Sequence, residues 1–379
     1  MTRGTAEMTE QSPAFTETDE QREFRTAVRE FLERHSPEDE VRRVMESTDG
    51  YDPALWRAMA DQLNLQGLAI PEEYGGEGFG YPVLAMVMEE MGAALVPGPY
   101  FASAVLAAGV LVASNDEAAK KRHLPRIANG HAIATLAVTE RSGRWCVADT
   151  ETRADAHPEG WLLTGTKHYV LDGVIADLVL VVARTDSGIG VFCVDDTETL
   201  RRRSQSTLDP TRRQAVIEFS ATPATRLNIA VPELEGALAR AAAALAAEQV
   251  GGAQRCLDQA VGYAKVRQQF GKPIGSFQAV RHMCADVMLA IECARGAAQY
   301  AAYAVDSFPA EFPAAAALAK AQCSEAYLRA AGANIQLHGG IGFTWEHPAH
   351  MYFKRAQSSG LLLGDADHHR RALADRLGL

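Results

Sequence analysis

The sequence predicts an α+β multidomain chain: an N-terminal helical domain, a middle antiparallel β-barrel or sandwich, and a C-terminal four-helix bundle. Two changes of texture and the chain length carry that expectation. Near residue 133, helix-spaced apolar residues give way to short β-rich runs separated by turns. Near Leu234, those runs give way to long alanine- and leucine-rich segments joined by glycine or proline. A length of 379 residues exceeds one usual core and fits two or three domains.

Residues 1–15 read as a disordered tail and 16–132 as the N-terminal helical domain. Thr18 and Gln21 have the spacing of a capping box, followed by Phe24, Val28, Phe31 and Leu32 on one helical face. Asp52-Pro53 offers an N-cap and a proline at the first helical position, ahead of Leu55, Trp56, Met59 and Leu63. After the glycine-rich loop PEEYGGEGFGYP, a third helix turns Leu84, Val87, Met88 and Met91 inward. The β domain, 133–233, comprises ATLAVTE, GWLLTGTKHYVLDG, ADLVLVVART, GIGVFCVD and AVIEFSA. The bundle, 234–379, is read as helical segments 236–268, 275–306, 311–335 and 346–375.

Composition excludes some roles. A formal net charge of −11 argues against nucleic acid as the main partner, because phosphate binding needs a basic face. The N-terminus MTRGTAEMTEQSPAFTETDEQ has no apolar core of a signal peptide. No run of 18 apolar residues exists, and the stretch Ala241 to Ala247 is too short to span a membrane. The six cysteines form no CxxC pair and read as reduced core thiols of a cytoplasmic protein.

Two stretches carry chemistry. In KVRQQFGKPIGSFQAVRH, residues 265–282, Arg267 offers a planar fork for a pyrophosphate and Phe270 an aromatic face. Gln278 sits early in the next helix, where free N–H groups favour an anion. In QLHGGIGFTWEHP, residues 336–348, Gly339-Gly340 lets backbone approach a ligand closely. Taken singly, the first also reads as a helix–turn–helix corner with solvated charges, and the second as an interhelical turn.

Together, in this order, RxxFGKPIxxFQ and QxHGGxGFTxExP closely resemble the acyl-CoA dehydrogenase family of flavoproteins. IPEEYGGEGFG at 70–80 and AVTE at 137–140 match the same family, so the resemblance runs from about residue 20 to the end. It implies FAD held at a subunit interface, with Arg267, Phe270 and Gln278 reaching FAD bound mainly by a neighbouring chain. Gln336, Gly339 and Gly340 would line the adenosine–pyrophosphate path. Thr139 and Ser142 are the implied flavin contacts of the β domain. No GxGxxG follows a strand, which argues against a Rossmann-type site.

The implied reaction is α,β-dehydrogenation of an acyl-CoA thioester, with an electron-transfer flavoprotein as acceptor. A carboxylate must take the α-proton. The commonest family position for that glutamate falls on Leu363, and the other known position falls on Ala241. Neither side chain can be a base. Glu248, seven residues past Ala241, lies about two turns or roughly 10 Å further along the helix. It interrupts an apolar stretch, so it is expected to be buried and to need a partner, either as the base or as a structural contact. Asp365 is a second candidate, or caps the last helix with Asp367 in support. The third candidate lies in a different chain. A metal site at Asp365, Asp367, His368 and His369 is not expected, because adjacent histidines on a helix diverge. His338 and His347 read as structural or flavin-adjacent.

Further departures from the family pattern concern the flavin and CoA contacts. Tyr169, Val170 and Leu171 stand where relatives carry an aromatic, an aliphatic and a threonine. The segment RSGRWCVAD lacks the family's glycine-rich form. Ala239 and Ala242 stand where CoA-binding residues are sought, with Arg240 between them. One subgroup of the family forms heterotetramers in which one chain lacks the base. The expectation is therefore an acyl-CoA dehydrogenase-family chain in a dimer or tetramer, with itself or a related chain. The alternatives are a non-catalytic subunit completing its partner's FAD site, and a flavin monooxygenase or oxidase on the same fold.

Overall fold

The computed structural model of the chain describes residues 17–379; the tail reading for residues 1–15 lies outside the described residues. The first unit is helical: α1 (Asp19–His35), α2 (Glu38–Glu46), α3 (Pro53–Leu63), α4 (Tyr81–Ala93), α5 (Ala108–Ala113) and α6 (Glu117–Ala128). Thr18 and Gln21 exchange the two hydrogen bonds of the capping box, and Asp52 caps α3 ahead of Pro53. A π-helical stretch, Phe101–Ala107, runs straight into α5. Such wide turns are rare and often mark functional regions.

The β unit is built from β1 (Ala134–Ala137), β2 (Arg153–His157), β3 (Gly160–Leu171), β4 (Leu178–Thr185), β5 (Gly188–Val194), β6 (Arg201–Gln205) and β7 (Gln214–Leu227). Strands pair in the circuit β4-β2-β3-β7-β5 and back to β4, which closes the sheet into a barrel. The sheet is mixed rather than antiparallel throughout, because β1 lies parallel to β4. The excursion through β2 and β3 supplies the long crossover that a parallel pair needs.

The bundle holds α7 (Val231–Val266), α8 (Gln278–Ser307), α9 (Phe312–His338), α10 (Ala349–Leu361) and α11 (Ala366–Leu377). The single helix expected over 346–375 is two. Leu363 at φ 61° and Gly364 at φ 101° leave helical space, and Asp365 restarts the chain as the N-cap of α11. The glycine and the Asp365 cap at the break are legible in the sequence, but the expected 346–375 segment runs across them. α4 and α7 cross backbone to backbone. A Cβ on Gly92 would fall 1.9 Å from the Glu248 carbonyl, and one on Gly251 would fall 1.8 Å from that of Glu89. This contact fixes the middle of α7, where Glu248 sits.

All six cysteines are free. Cys193, Cys256 and Cys323 are core thiols as expected, whereas Cys146 and Cys293 are exposed and Cys284 is half-buried. Among the described residues no helix is long and apolar enough to cross a membrane.

Candidate active site

The two motifs meet at one end of the bundle. α7 stops where the Arg267 amide donates to Tyr263 O at 2.8 Å, and the chain turns through Phe270 at φ 55° and Gly271 at φ 75°. Gln278 opens α8, and α9 ends at His338 with Gly339 at φ 65°, a left-handed residue that favours glycine. The rings of Tyr263 and His338 lie 4.3 Å apart, which ties the end of α7 to the end of α9. Phe270 is 91% exposed, with its ring edge-on to Phe277 at a centroid distance of 6.1 Å. Arg267, Gln278, Gln336, Gly339 and Gly340 are exposed too. A Cβ on Gly339 or Gly340 would meet no atom within 4 Å. An arginine fork, an aromatic face and bare backbone thus stand together, uncovered by any described residue.

The loop after Gly340 is held from below. Arg42 of α2 donates to Trp345 O at 2.6 Å and to Glu346 O at 3.1 Å. His347 lies 4.2 Å from His338, and His350 Nε2 lies 3.2 Å from Trp345 O. Burial lowers the pKa of both His347 and His350, favouring neutral rings. Sequence reasoning missed Arg42; an arginine some 300 positions from its loop leaves no local signal.

The β-domain candidates are different in kind. Thr139 is 2% exposed, and its hydroxyl donates to His168 O. Ser142 is exposed and accepts from the Arg144 amide at 3.3 Å. Glu140 of the same AVTE run pairs with fully buried Lys167 at 2.8 Å. Burial pulls the Lys167 ammonium down to about 8 against the opposing pull of Glu140. Tyr169 sits at φ 56°, where the β3–β7 register slips between Lys167 and Val170.

Leu363 and Ala241, the places the resemblance implies for a base, are buried in apolar packing. Leu363 is 5% exposed and Ala241 is 1% exposed, and both belong to the main hydrophobic core. Glu248 is buried but not poised to take a proton. Arg212 Nη2 donates to its two oxygens at 2.5 and 2.6 Å, and Arg355 Nη1 donates to Oε1 at 3.1 Å. Arg355 also pairs with Asp209 at 2.9 Å, and the Arg212 guanidinium lies 5.2 Å from the Phe101 ring. Burial alone would raise the Glu248 carboxyl, but the two guanidinium groups outweigh it and hold it below the usual range. A carboxylate so engaged joins α7, α10 and the β domain as an ion-pair hub; it is a poor general base. Near the hub, buried Asp172 leaves Oδ1 without a partner among the described residues, and burial pushes its carboxyl up to about 7. Arg212, Arg355 and Asp209 were absent from the expectation, since only the fold brings them to Glu248.

Asp365 serves as a cap. Its carboxylate accepts from the His368 amide at 2.7 Å, and the His368 and His369 rings stand edge to face 5.1 Å apart. No metal-ligating cluster occurs among the described residues.

The family profiles described as "Acyl-CoA dehydrogenase, N-terminal domain", "middle domain" and "C-terminal domain" match residues 18–131, 135–221 and 233–378. The acyl-CoA dehydrogenase IpdE2 of Mycobacterium tuberculosis is 38% identical over 350 residues, covering 92% of this chain and 94% of that protein. Among solved structures, the ChsE4–ChsE5 complex from Mycobacterium tuberculosis superposes with a TM-score of 0.88 at 29% identity, covering 96% of this chain and 98% of that one. A variant of the Tcur3481–Tcur3483 steroid ACAD gives a TM-score of 0.86 at 31% identity, covering 95% and 98%.

Proposed function

The chain belongs to the acyl-CoA dehydrogenase family, a family of flavoproteins, and from that premise we propose that it works as one chain of a heteromeric FAD-dependent acyl-CoA dehydrogenase. Its share is to complete, from the bundle end, a flavin site whose ring side and base belong to a related chain. One observation carries the reading: the two base positions hold buried Leu363 and Ala241, while the nearby carboxylate, Glu248, is tied to two arginines.

The residues fit the cofactor on one side only. At the bundle end, Arg267 would hold the pyrophosphate, Phe270 would cover a ring, and Gln278 would donate from the start of α8. Gln336 and the open backbone of Gly339 and Gly340 would line the adenosine path. FAD, when bound, supplies the acceptor for the hydride that leaves the acyl chain. On the ring side, the Thr139 proton is committed to His168 O and Leu171 offers no hydroxyl. Of the two β-domain candidates, only Ser142 keeps a hydroxyl proton free to donate to a flavin in this chain. Exposed Phe270, Phe343 and Trp345 support an assembled state in which a partner covers them.

An electron-transfer flavoprotein is the proposed acceptor. The absence of any pairing among the cysteines is in keeping with the cytoplasm as the proposed compartment.

Co-expression with a related chain that carries a glutamate at either base position tests this. Acyl-CoA-dependent reduction of an artificial acceptor is expected from the pair and not from the lone chain. Arg267→Ala in this chain is expected to lower the activity of the pair. Turnover by the lone chain, lost in a well-folded Glu248→Gln variant, would refute the reading.

A further inference from the structure

The loop at the bundle end, residues 339–348, does little to fix its own shape. Beyond the 3-10 turn Gly339–Phe343, Thr344 N and Oγ1 donate to Ile341 O at 3.0 Å, and His347 N donates to Thr344 O at 3.4 Å. Its far half hangs on Arg42 of α2. Glu38 Oε1, one helical turn earlier, accepts from Arg42 Nε at 3.0 Å and from Nη2 at 2.9 Å, which orients the planar fork. The fork then donates through Nη1 to Trp345 O and through Nη2 to Glu346 O. Glu346 O has no other donor among the described residues, and Trp345 O is met otherwise only by His350 Nε2.

α2 is in turn fixed by two other parts of the chain. Val41 and Met45 pack in the bundle cluster with Val250, Leu257 and Met351. From the start of β7, Arg213 Nη2 donates to Met45 O at 2.9 Å and to Ser47 O, past the end of α2. Gly50 leaves room for that side chain, since a Cβ there would fall 2.1 Å from Arg213 Cγ. A line of contacts thus runs from the β domain through Arg213, α2 and Arg42 to the loop that follows Gly339 and Gly340.

We propose that α2 is a positioning strut for flavin. Arg42 sets the two loop carbonyls, and through them the shape of the open backbone at Gly339–Gly340. Arg213 sets where α2 lies. A loop held in its binding shape beforehand loses less freedom when a ligand arrives, so the strut raises affinity through the loop. The inference rests on the proposed function and deepens it, adding two positioning residues to the bundle-end side of the site.

The test joins flavin titration of the complex with a related chain, read by flavin fluorescence, to amide hydrogen exchange over residues 339–348 of the lone chain, which needs no flavin. Arg42→Ala is expected to weaken flavin binding roughly tenfold, the value of one hydrogen bond to a charged group. Arg42→Lys keeps the charge but cannot span two carbonyls, and should fall between the two; it carries the test if Arg42→Ala does not fold. Arg213→Ala should weaken binding by about threefold. The double variant should bind no more weakly than Arg42→Ala alone, because the two arginines act in series. Exchange within the loop should quicken in each variant. Flavin binding unchanged in Arg42→Ala, single effects that multiply in the double variant, or unaltered loop exchange overturns the strut. Arg267→Ala is the control: weakened flavin there with wild-type binding in Arg42→Ala defeats the strut and leaves the proposed function standing. A wild-type complex that takes up no flavin defeats the proposed function, and the strut with it.

Discussion

The end of the bundle and its middle are opposites. At the end, Arg267, Phe270, Gln336 and the paired glycines stand exposed, with donors and an aromatic face awaiting an acceptor. In the middle, Leu363, Ala241 and Glu248 are buried, and the Glu248 carboxylate is engaged by Arg212 and Arg355. The end is incomplete within one chain; the middle is complete within one chain. A general base needs room and an unengaged carboxylate, and Glu248 has neither. On the proposed function, the difference teaches that recognition of cofactor and removal of a proton are separable in this fold, with this chain contributing to the first.

Removing the charge at the middle should have the largest effect. Glu248→Gln strands the buried Arg212 guanidinium and leaves Arg355 with Asp209 alone, and breaking a buried pair costs about 3–5 kcal/mol. Chemical denaturation of the chain should show it as a lower midpoint. A variant of unchanged stability that loses activity would instead make Glu248 catalytic and dissolve the contrast.

The break after α10 gives the next effect. Lys320 is fully buried and donates to Gly360 O at 3.3 Å and Gly364 O at 3.1 Å, holding the elbow that carries Leu363. Burial pulls its ammonium from 10.5 down to about 7. The folded value lies below the unfolded one, so the unfolded chain binds more protons between them. Stability should therefore rise with pH from about 7 to about 10.5, by a few kcal/mol in all. Lys320→Met should flatten that slope, as read from denaturation midpoints across the range. An unchanged slope would show that the elbow does not depend on the lysine's charge state.

At the exposed end the sign of the comparison reverses. Arg267→Ala should leave the folding stability of the chain within about 0.5 kcal/mol, as for other exposed residues. It should weaken flavin binding by the co-expressed pair by about 1.5–3 kcal/mol, the value of a charge-assisted hydrogen bond. Flavin retention through dialysis measures it. A loss of folding stability with unchanged flavin would place the arginine in the architecture instead. Smallest is the cap: Asp365→Ala should cost about 1 kcal/mol by thermal melting and leave flavin content alone.

What the sequence made legible was local. Thr18 with Gln21 and Asp52 with Pro53 are caps whose partners lie within three residues, and both occur. The motif pair put Arg267 and Gly339 at helix ends because such ends are punctuated in the sequence; that the two ends meet is seen only in the fold. Burial of Glu248 and its need for partners followed from the apolar stretch around it. The partners themselves did not, for Arg212 and Arg355 lie 36 and 107 residues away and only packing joins them. The helix break at Leu363–Gly364 was half legible: Asp365 reads as a candidate cap, while the left-handed turn at Leu363, a non-glycine residue, carries no sequence signal. The parallel β1–β4 pair was hidden because strand texture does not encode strand direction.

The most direct measurement is the visible spectrum of this chain purified alone, and again with a related chain bearing a base glutamate, each after incubation with FAD and gel filtration. The lone chain should be colourless and the pair yellow, with the colour lost when Arg267→Ala and Phe270→Ala are combined. A lone chain that retains stoichiometric FAD and bleaches on adding an acyl-CoA would contradict the account.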